Sequence, residues 1–328
     1  SWPAKSKAEK YGVYRCVDGV WAPIGESKKA EYIDTDVVSN KTYSYAVGLV
    51  INGSVSVVHK PTKAQIRYIA PANEITTANG SNYTKISWKA VAGAQKYYLY
   101  KSKGNSGEYI LIATLDSKTL SYVDNAVSAG EEVYYSVRCY NGELTSVHSA
   151  GKRSVFLEIP KIKGVTNVYE GQTFTWSAVK GATGYRVYRK IYGAKYYTYI
   201  TTVDANVLSY TDTECINGKI MCYTVKAVND DSASAYLAKC MTYVKAPTPA
   251  ISNSPSGVYL KWDKNDAAVG YWVYRKTPNA KNWTRIACVK TLYYTDASVK
   301  SGTEYLYTVK AYTGKLLSGC NMNGWRVM

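Results

Sequence analysis

Histidine and phenylalanine are nearly absent from this chain, with two of each in 328 residues. His59 and His148 stand 89 positions apart, on the closing strand segments of different repeats, so each reads as a solvated or packed strand residue. No Gly-x-Ser-x-Gly elbow, His-Glu-x-x-His pair, phosphate loop or EF-hand loop occurs, which removes the common signatures of hydrolase, zinc-protease, nucleotide and calcium chemistry. No apolar run is long enough to cross a membrane, and no signal peptide or lipidation motif is present. Dense Lys/Arg blocks are missing too, which argues against specific nucleic-acid binding. No catalytic activity, cofactor, metal or membrane insertion is expected.

Cysteine is present but unpatterned. Cys16, Cys139, Cys215, Cys222, Cys240, Cys288 and Cys320 are odd in number, and no Cys-x-x-Cys spacing occurs. Most read as small buried or strand-lining side chains. Within single repeats, Cys222 can face Cys240 and Cys288 can face Cys320.

What the chain does have is tyrosine, 34 residues of it, set in a repeat. A Trp followed nine residues later by Tyr-x-x-Tyr occurs four times: Trp2 with Tyr11 and Tyr14, Trp88 with Tyr97 and Tyr100, Trp176 with Tyr185 and Tyr188, Trp262 with Tyr271 and Tyr274. The Trp-to-Trp intervals are 86, 88 and 86 residues. One supersecondary unit has therefore been copied four times. Each copy joins the next at a proline, Pro71, Pro160 or Pro247, which suits the end of a sheet edge. The expected modules are 1–70, 71–159, 160–246 and 247–328, and linkers this short should hold them in an elongated, monomeric rod. Their net charges are +4, +1, +5 and +7 within a total of +17, so the basic excess grows toward the C-terminus.

Within a module, short alternating runs are separated by turn residues. In the last copy they are Val258-Tyr259-Leu260-Lys261-Trp262, Tyr271-Trp272-Val273-Tyr274, Trp283-Thr284-Arg285-Ile286, Tyr293-Tyr294-Thr295-Asp296, and the run from Tyr305 to Ala311. Turn signals every eight to twelve residues predict an all-β antiparallel sandwich. The order Trp strand, Tyr-x-Val-Tyr strand, Tyr-x-Asp, Gly turn and Tyr-x-Val-x-Ala resembles fibronectin type III modules. Runs such as Thr175-Trp176-Ser177-Ala178-Val179 with Gly184-Tyr185-Arg186-Val187-Tyr188 resemble, more narrowly, tandem repeats of secreted or cell-surface proteins of Gram-positive gut bacteria. That resemblance implies an extracellular or cell-surface location. It also maps the family's corner tyrosine onto Tyr305 and Tyr43, whereas Val133 and Met221 take the place in modules two and three, which should lack that hydrogen bond and be less stable. The integrin-binding tripeptide Arg-Gly-Asp is absent. Module one begins at its Trp and is expected to lack its N-terminal strand and expose a sheet edge.

The recurring Tyr-x-Asp carboxylates Asp34, Asp124, Asp212 and Asp296 read as turn caps. Trp21, Tyr109, Tyr197 and Trp283, each three residues before an Ile, are either sugar-stacking platforms or covers for the open edge of their own sandwich, the second being favoured. Alternation predicts that Tyr100, Tyr188 and Tyr274 face outward beside Arg138, Lys226 and Lys310 on the neighbouring strand, with cross-strand aromatic–cation contacts of about 0.5–1 kcal/mol each. Tyr192, Tyr196 and Trp272 enlarge that stripe in modules three and four, and Trp283 is a further candidate ligand-binding residue. The functional expectation is a non-catalytic extracellular stalk or adhesive array. Its alternatives are a binding module for a host protein or an anionic glycan, and the accessory region of a larger secreted hydrolase.

Overall fold

A computed structural model describes residues 1–5, 8–55 and 65–328. His59 and its strand segment lie outside the described residues. Every regular element described is a β-strand and every strand pair is antiparallel. The chain separates into two compact units, Ser1–Ala78 with Tyr83–Val155, and Asn79–Asn82 with Phe156–Met328.

In the first unit, module two is a complete sandwich. One sheet holds Thr76–Asn79, Thr84–Ser87 and Ser121–Asp124; the other holds Lys96–Lys103, Ile110–Asp116, Glu132–Tyr140 and Lys152–Val155. Alternation fixes what each strand buries: Tyr97 and Leu99 face Tyr135, Val137 and Cys139 around Ile86 and Trp88. Module one is built differently. Its single sheet comprises Lys10–Val17, Val20–Ser27, Thr42–Ile51, Ser54–Val55 and Gln65–Arg67. Among the described residues, no strand precedes Lys10–Val17 and no second sheet faces this one. Asp18 and Gly19, both with positive φ, make the two-residue hairpin turn that joins its first two strands.

The second unit carries two complete sandwiches. Ile162–Asn167, Gln172–Trp176 and Ser209–Asp212 form one sheet of module three. Gly184–Ile191, Thr198–Asp204, Ile220–Asn229, Ser232–Ala233 and Ala238–Thr242 form the other. Module four repeats the plan with Ala250–Ser254, Gly257–Lys261 and Tyr293–Asp296 against Gly270–Lys276, Thr284–Val289, Tyr305–Thr313, Leu316–Leu317 and Trp325–Val327. A three-stranded sheet facing a larger one in this order is the fibronectin type III sandwich.

The four indoles are equivalent. Each backbone N–H bonds the same loop carbonyl: Trp2 to Ala30, Trp88 to Leu120, Trp176 to Leu208, Trp262 to Leu292. Each ring lies at 5.3–5.7 Å from the first Tyr of its Tyr-x-x-Tyr pair. That Tyr hydroxyl in turn accepts the backbone N–H six residues upstream, from Lys5, Val91, Val179 or Asn265. Trp2 alone is only half-buried, with no second sheet over it among the described residues.

The expected corner bonds form at Tyr43, which accepts Val38 N–H at 2.8 Å, and at Tyr305, which accepts Lys300 N–H at 3.3 Å. Of the two cysteine pairs left open by spacing, Cys222 and Cys240 are disulfide-bonded, because the register sets them directly opposite on adjacent strands. Cys288 and Cys320 remain free.

Modules within a unit are pinned at their prolines. In the first unit, Ser39 Oγ donates to Ala92 C=O and accepts Ala70 N–H, and Asn141 donates to Arg67 C=O. In the second, Asn217 donates to Asn265, whose own amide donates to Lys245 C=O, while Asn167 donates to Leu317 C=O. These bonds order the linkers beyond what their length alone imposes.

Candidate functional site

Two populations of cations follow from one sequence feature. In every copy the second Tyr of Tyr-x-x-Tyr is followed by a basic residue: Arg15, Lys101, Arg189 or Arg275. Strand alternation turns each of these to the inner side of its sheet, where it meets the Tyr-x-Asp carboxylate: Arg15 with Asp34 at 3.0 Å, Lys101 with Asp124 at 2.8 Å, Arg189 with Asp212 and Arg275 with Asp296 at 2.6 Å. The same carboxylates accept the hydroxyls of Tyr45, Tyr135, Tyr223 and Tyr307 at 2.8–3.0 Å. They also accept the backbone N–H two residues on, the turn cap expected from sequence. A nearly fully buried charge needs this many partners, since desolvation otherwise outweighs its attraction to one cation. Burial followed by the Asp296 hydrogen bond holds the Tyr307 hydroxyl well above its ordinary range. This network is internal and belongs to the fold.

The second population lies on the outer face of the larger sheets. In module three, Lys190 sits 4.8 Å from the ring centroid of Tyr197, Lys195 lies 4.9 Å from that of Tyr196, and Lys226 is 5.0 Å from that of Tyr236. In module four, Arg285 lies 4.6 Å from Trp272, Lys276 5.0 Å from Trp283, and Lys310 5.8 Å from Tyr274. Among the described residues none of these six cations forms an ion pair. They are positioned by rings instead of neutralised by carboxylates.

The sequence-derived pairs are only partly joined. Tyr274 and Lys310 do meet. Tyr188 and Lys226 do not: the register sets Tyr188 opposite Thr224 and Lys226 opposite Arg186, and Tyr188 packs edge-on to Tyr199 at 5.7 Å. Tyr100 and Arg138 also part, because Arg138 faces Tyr98 and its Nε donates to Ser146 C=O at 2.6 Å. Tyr100 instead packs on His148, which stacks against Tyr109 on its other side and bonds Ser136 through Nδ1. His148 lies in the irregular segment before Lys152–Val155, not on a strand, and stays solvent-exposed while its ring contacts these two tyrosines. Burial, then the nearby Arg138 charge, lower its pKa.

Trp283 is half-buried against Gly324, and Tyr109 against Gly151. Trp272 is half-buried between Arg285 and Tyr312. Tyr192 and Tyr196 stand clear on the loop between two strands of module three, 68% and 72% exposed. Sequence reasoning missed Arg285, Lys276, Lys190, Tyr199 and Tyr236. Their periodicity was visible, but which cation reaches which ring depends on the bulges at Val187/Tyr188 and Val273/Tyr274.

No cluster of three potential metal ligands occurs among the described residues. Burial pushes the Cys139 thiol up to about 12 and the Cys215 thiol up to about 11, so neither is a thiolate near neutral pH. No helix of the described residues is long and apolar enough to cross a membrane.

No family model matches the chain. It is 25% identical over 228 residues to Exoglucanase B of Cellulomonas fimi, a match that takes in 59% of this chain and spans only 20% of that protein. Among solved structures, it is similar to the FN1–FN3 domains of chicken CNTN1 (16% identity, TM-score 0.28, covering 79% of this chain and 98% of that one). It is also similar to a two-domain fibronectin type III segment of chicken tenascin (16%, 0.29, covering 52% and 99%). A third likeness is to a Fn3-like protein from Clostridium thermocellum (24%, 0.26, covering 29% and 98%). The strand order described above, independent of these likenesses, makes modules two to four fibronectin type III-like sandwiches.

Proposed function

We propose that this chain is a non-catalytic array in a secreted protein, and that modules three and four hold an anionic polymer, foremost an acidic polysaccharide, on their outer sheet faces. The observation that carries this reading is the contrast between neighbours in sequence. Arg189 and Arg275 are consumed by buried carboxylates, while Lys190 and Lys276, one residue on, are held over rings with no ion pair among the described residues. A ring whose face already carries a cation does not offer that face to a sugar, so this surface presents ordered positive charge. Such charge favours carboxylate or sulfate groups over neutral sugars. The net charges of +5 and +7 in these modules act in the same direction. The pinned junctions inside each unit support a spacing role as well, and the Cys222–Cys240 bond fits an oxidising compartment.

Affinity electrophoresis in gels containing polygalacturonate tests the reading. The chain should be retarded, and the variant Lys190→Ala/Lys226→Ala/Arg285→Ala/Lys310→Ala should migrate as in a plain gel. Equal retardation of both proteins would remove this face as the binding surface.

The likeness to Exoglucanase B motivates a second reading, in which the array is the accessory region of a larger hydrolase of neutral glucans. Binding there would rest on the open ring of Tyr192, with Tyr196 offering only the face away from Lys195, and would withstand salt. Retention by insoluble cellulose at high ionic strength, lost in Tyr192→Ala/Tyr196→Ala, would favour it.

A further inference from the structure

The larger sheet of module two ends in the strand Ile110–Asp116, which pairs with Lys96–Lys103 on one side and with no other strand of the described residues. From Tyr109 to Leu115 it carries no charge, proline or glycine. Two neighbouring aliphatic side chains on it stand open, Ile110 at 72% and Leu111 at 48% exposure. The corresponding edge is blunted in the other modules. Val20–Ser27 contains Pro23, which has no N–H to offer. Thr198–Asp204 is rich in threonine, and its one exposed ring, Tyr199, is engaged by Tyr188 and Thr202. Thr284–Val289 contains Arg285, held over Trp272. Unpaired backbone donors and acceptors beside open aliphatics are a template for pairing with another chain, which sheet proteins otherwise suppress.

We propose that this edge joins two copies of the chain, the strand Ile110–Asp116 of one lying antiparallel to the same strand of the other about a two-fold axis. The sides of the strand are self-complementary. Ile110, Ala113 and Leu115 lie opposite Lys101, Leu99 and Tyr97, which face inward, while Leu111 and Thr114 lie opposite the outward Tyr100 and Tyr98. With the axis between Ile112 and Ala113, Ile110 meets Leu115 and Leu111 meets Thr114, so inner residues meet inner ones and outer meet outer. The charges are self-complementary too. Glu108 stands two residues before the strand and Lys118 two residues after it, both exposed and neither in an ion pair among the described residues. Antiparallel pairing brings Glu108 of each copy beside Lys118 of the other, once at each end of the seam. Module two also has the smallest net charge, +1 against +4, +5 and +7, so two copies repel least here. The chain is then a reversible dimer in place of the monomer expected from sequence, and nothing in this pairing involves the cations of modules three and four.

Sedimentation equilibrium of the full chain over roughly 5–300 µM tests the proposal, a range suited to the small seam that one strand pair makes. The parent should pass reversibly from monomer to dimer. Leu111→Lys should weaken that association at least about tenfold, since a charge on the strand blocks edge pairing. Glu108→Lys and Lys118→Glu should each weaken it about tenfold, because like charges then meet at both ends of the seam. An equimolar mixture of these last two variants should associate as tightly as the parent, because unlike charges then meet at both ends again. All three side chains are exposed, so each variant should melt as the parent does. A parent that stays monomeric throughout, a dimer undiminished in Leu111→Lys, or a mixture that associates no more tightly than its separate components would overturn the proposal.

Discussion

Tyr307 donates its hydroxyl hydrogen to Asp296 at 2.8 Å, and the same carboxylate oxygen takes Arg275 at 2.6 Å. The Tyr-to-Asp bond recurs in all four modules at a fixed separation of eleven residues. It ties the Tyr-x-Asp segment to the central strand of the opposite layer. In modules two and three, where the corner tyrosine is replaced by Val133 and Met221, this bond still links the same elements. Modules one and four carry the corner bond in addition to it, so the deficit expected in modules two and three stands.

Replacing Tyr307 by Phe should destabilise module four by about 1–2 kcal/mol, the cost of one lost donor to a buried charge. Asp296→Asn should cost more, about 3 kcal/mol, because it leaves Arg275 without its carboxylate. Burial raises the Asp296 pKa, but hydrogen bonds from Ser298, Tyr307 and Arg275 outweigh it, and the net shift is downward. A lowered folded pKa stabilises above the ordinary value of 3.8 and is lost as the pH falls through the folded one. Amide exchange resolved by module should show both costs confined to residues 247–328. The Asp296→Asn cost should shrink on acidification below that value.

His148 titrates in the opposite sense to a salt-bridged histidine. Its lowered pKa means that folded module two binds its proton less readily than the unfolded chain. Module two should be fully supported by this group above pH 6.5 and lose that support as the pH falls toward the folded pKa. Exchange rates in residues 96–140 at pH 7.5 and 5.5, compared with His148→Gln, check it. A variant with the same pH response as the parent would show that another group is responsible.

Gly319 marks the close approach of modules three and four. A Cβ built there would lie 2.0 Å from the backbone carbon of Val168. Gly319→Val should therefore open this junction and break the Asn167–Leu317 bond, while leaving the two cores intact. Small-angle scattering of residues 160–328 should show an increased maximum dimension with unchanged melting of each module.

Much of this architecture was legible in the spacing of Trp2, Trp88, Trp176 and Trp262, because a buried indole needs the same neighbours each time it is copied. The alternation around Tyr97 and Leu99 likewise gave the correct inward face, since a period of two is a local property of the chain. The outer face was harder to read. Sequence alternation places Lys226 outward but does not say that it lies over Tyr236, which comes from a segment ten residues later and is brought near only by the strand pairing of the module. The basic residue after each Tyr-x-x-Tyr was visible as a pattern. Its carboxylate partner lies nineteen to twenty-three residues away in sequence, across the interior, and only the sandwich brings the two together.

The most direct test of the functional account is calorimetric titration of the chain with polygalacturonate and with a neutral glucan of similar length, each at 50 and 300 mM NaCl. Ordered cations without ion pairs predict binding to polygalacturonate alone, weakened about tenfold or more at the higher salt as screening shortens the reach of each charge. Affinity for the neutral glucan that equals or exceeds it, unchanged by salt, would contradict the account.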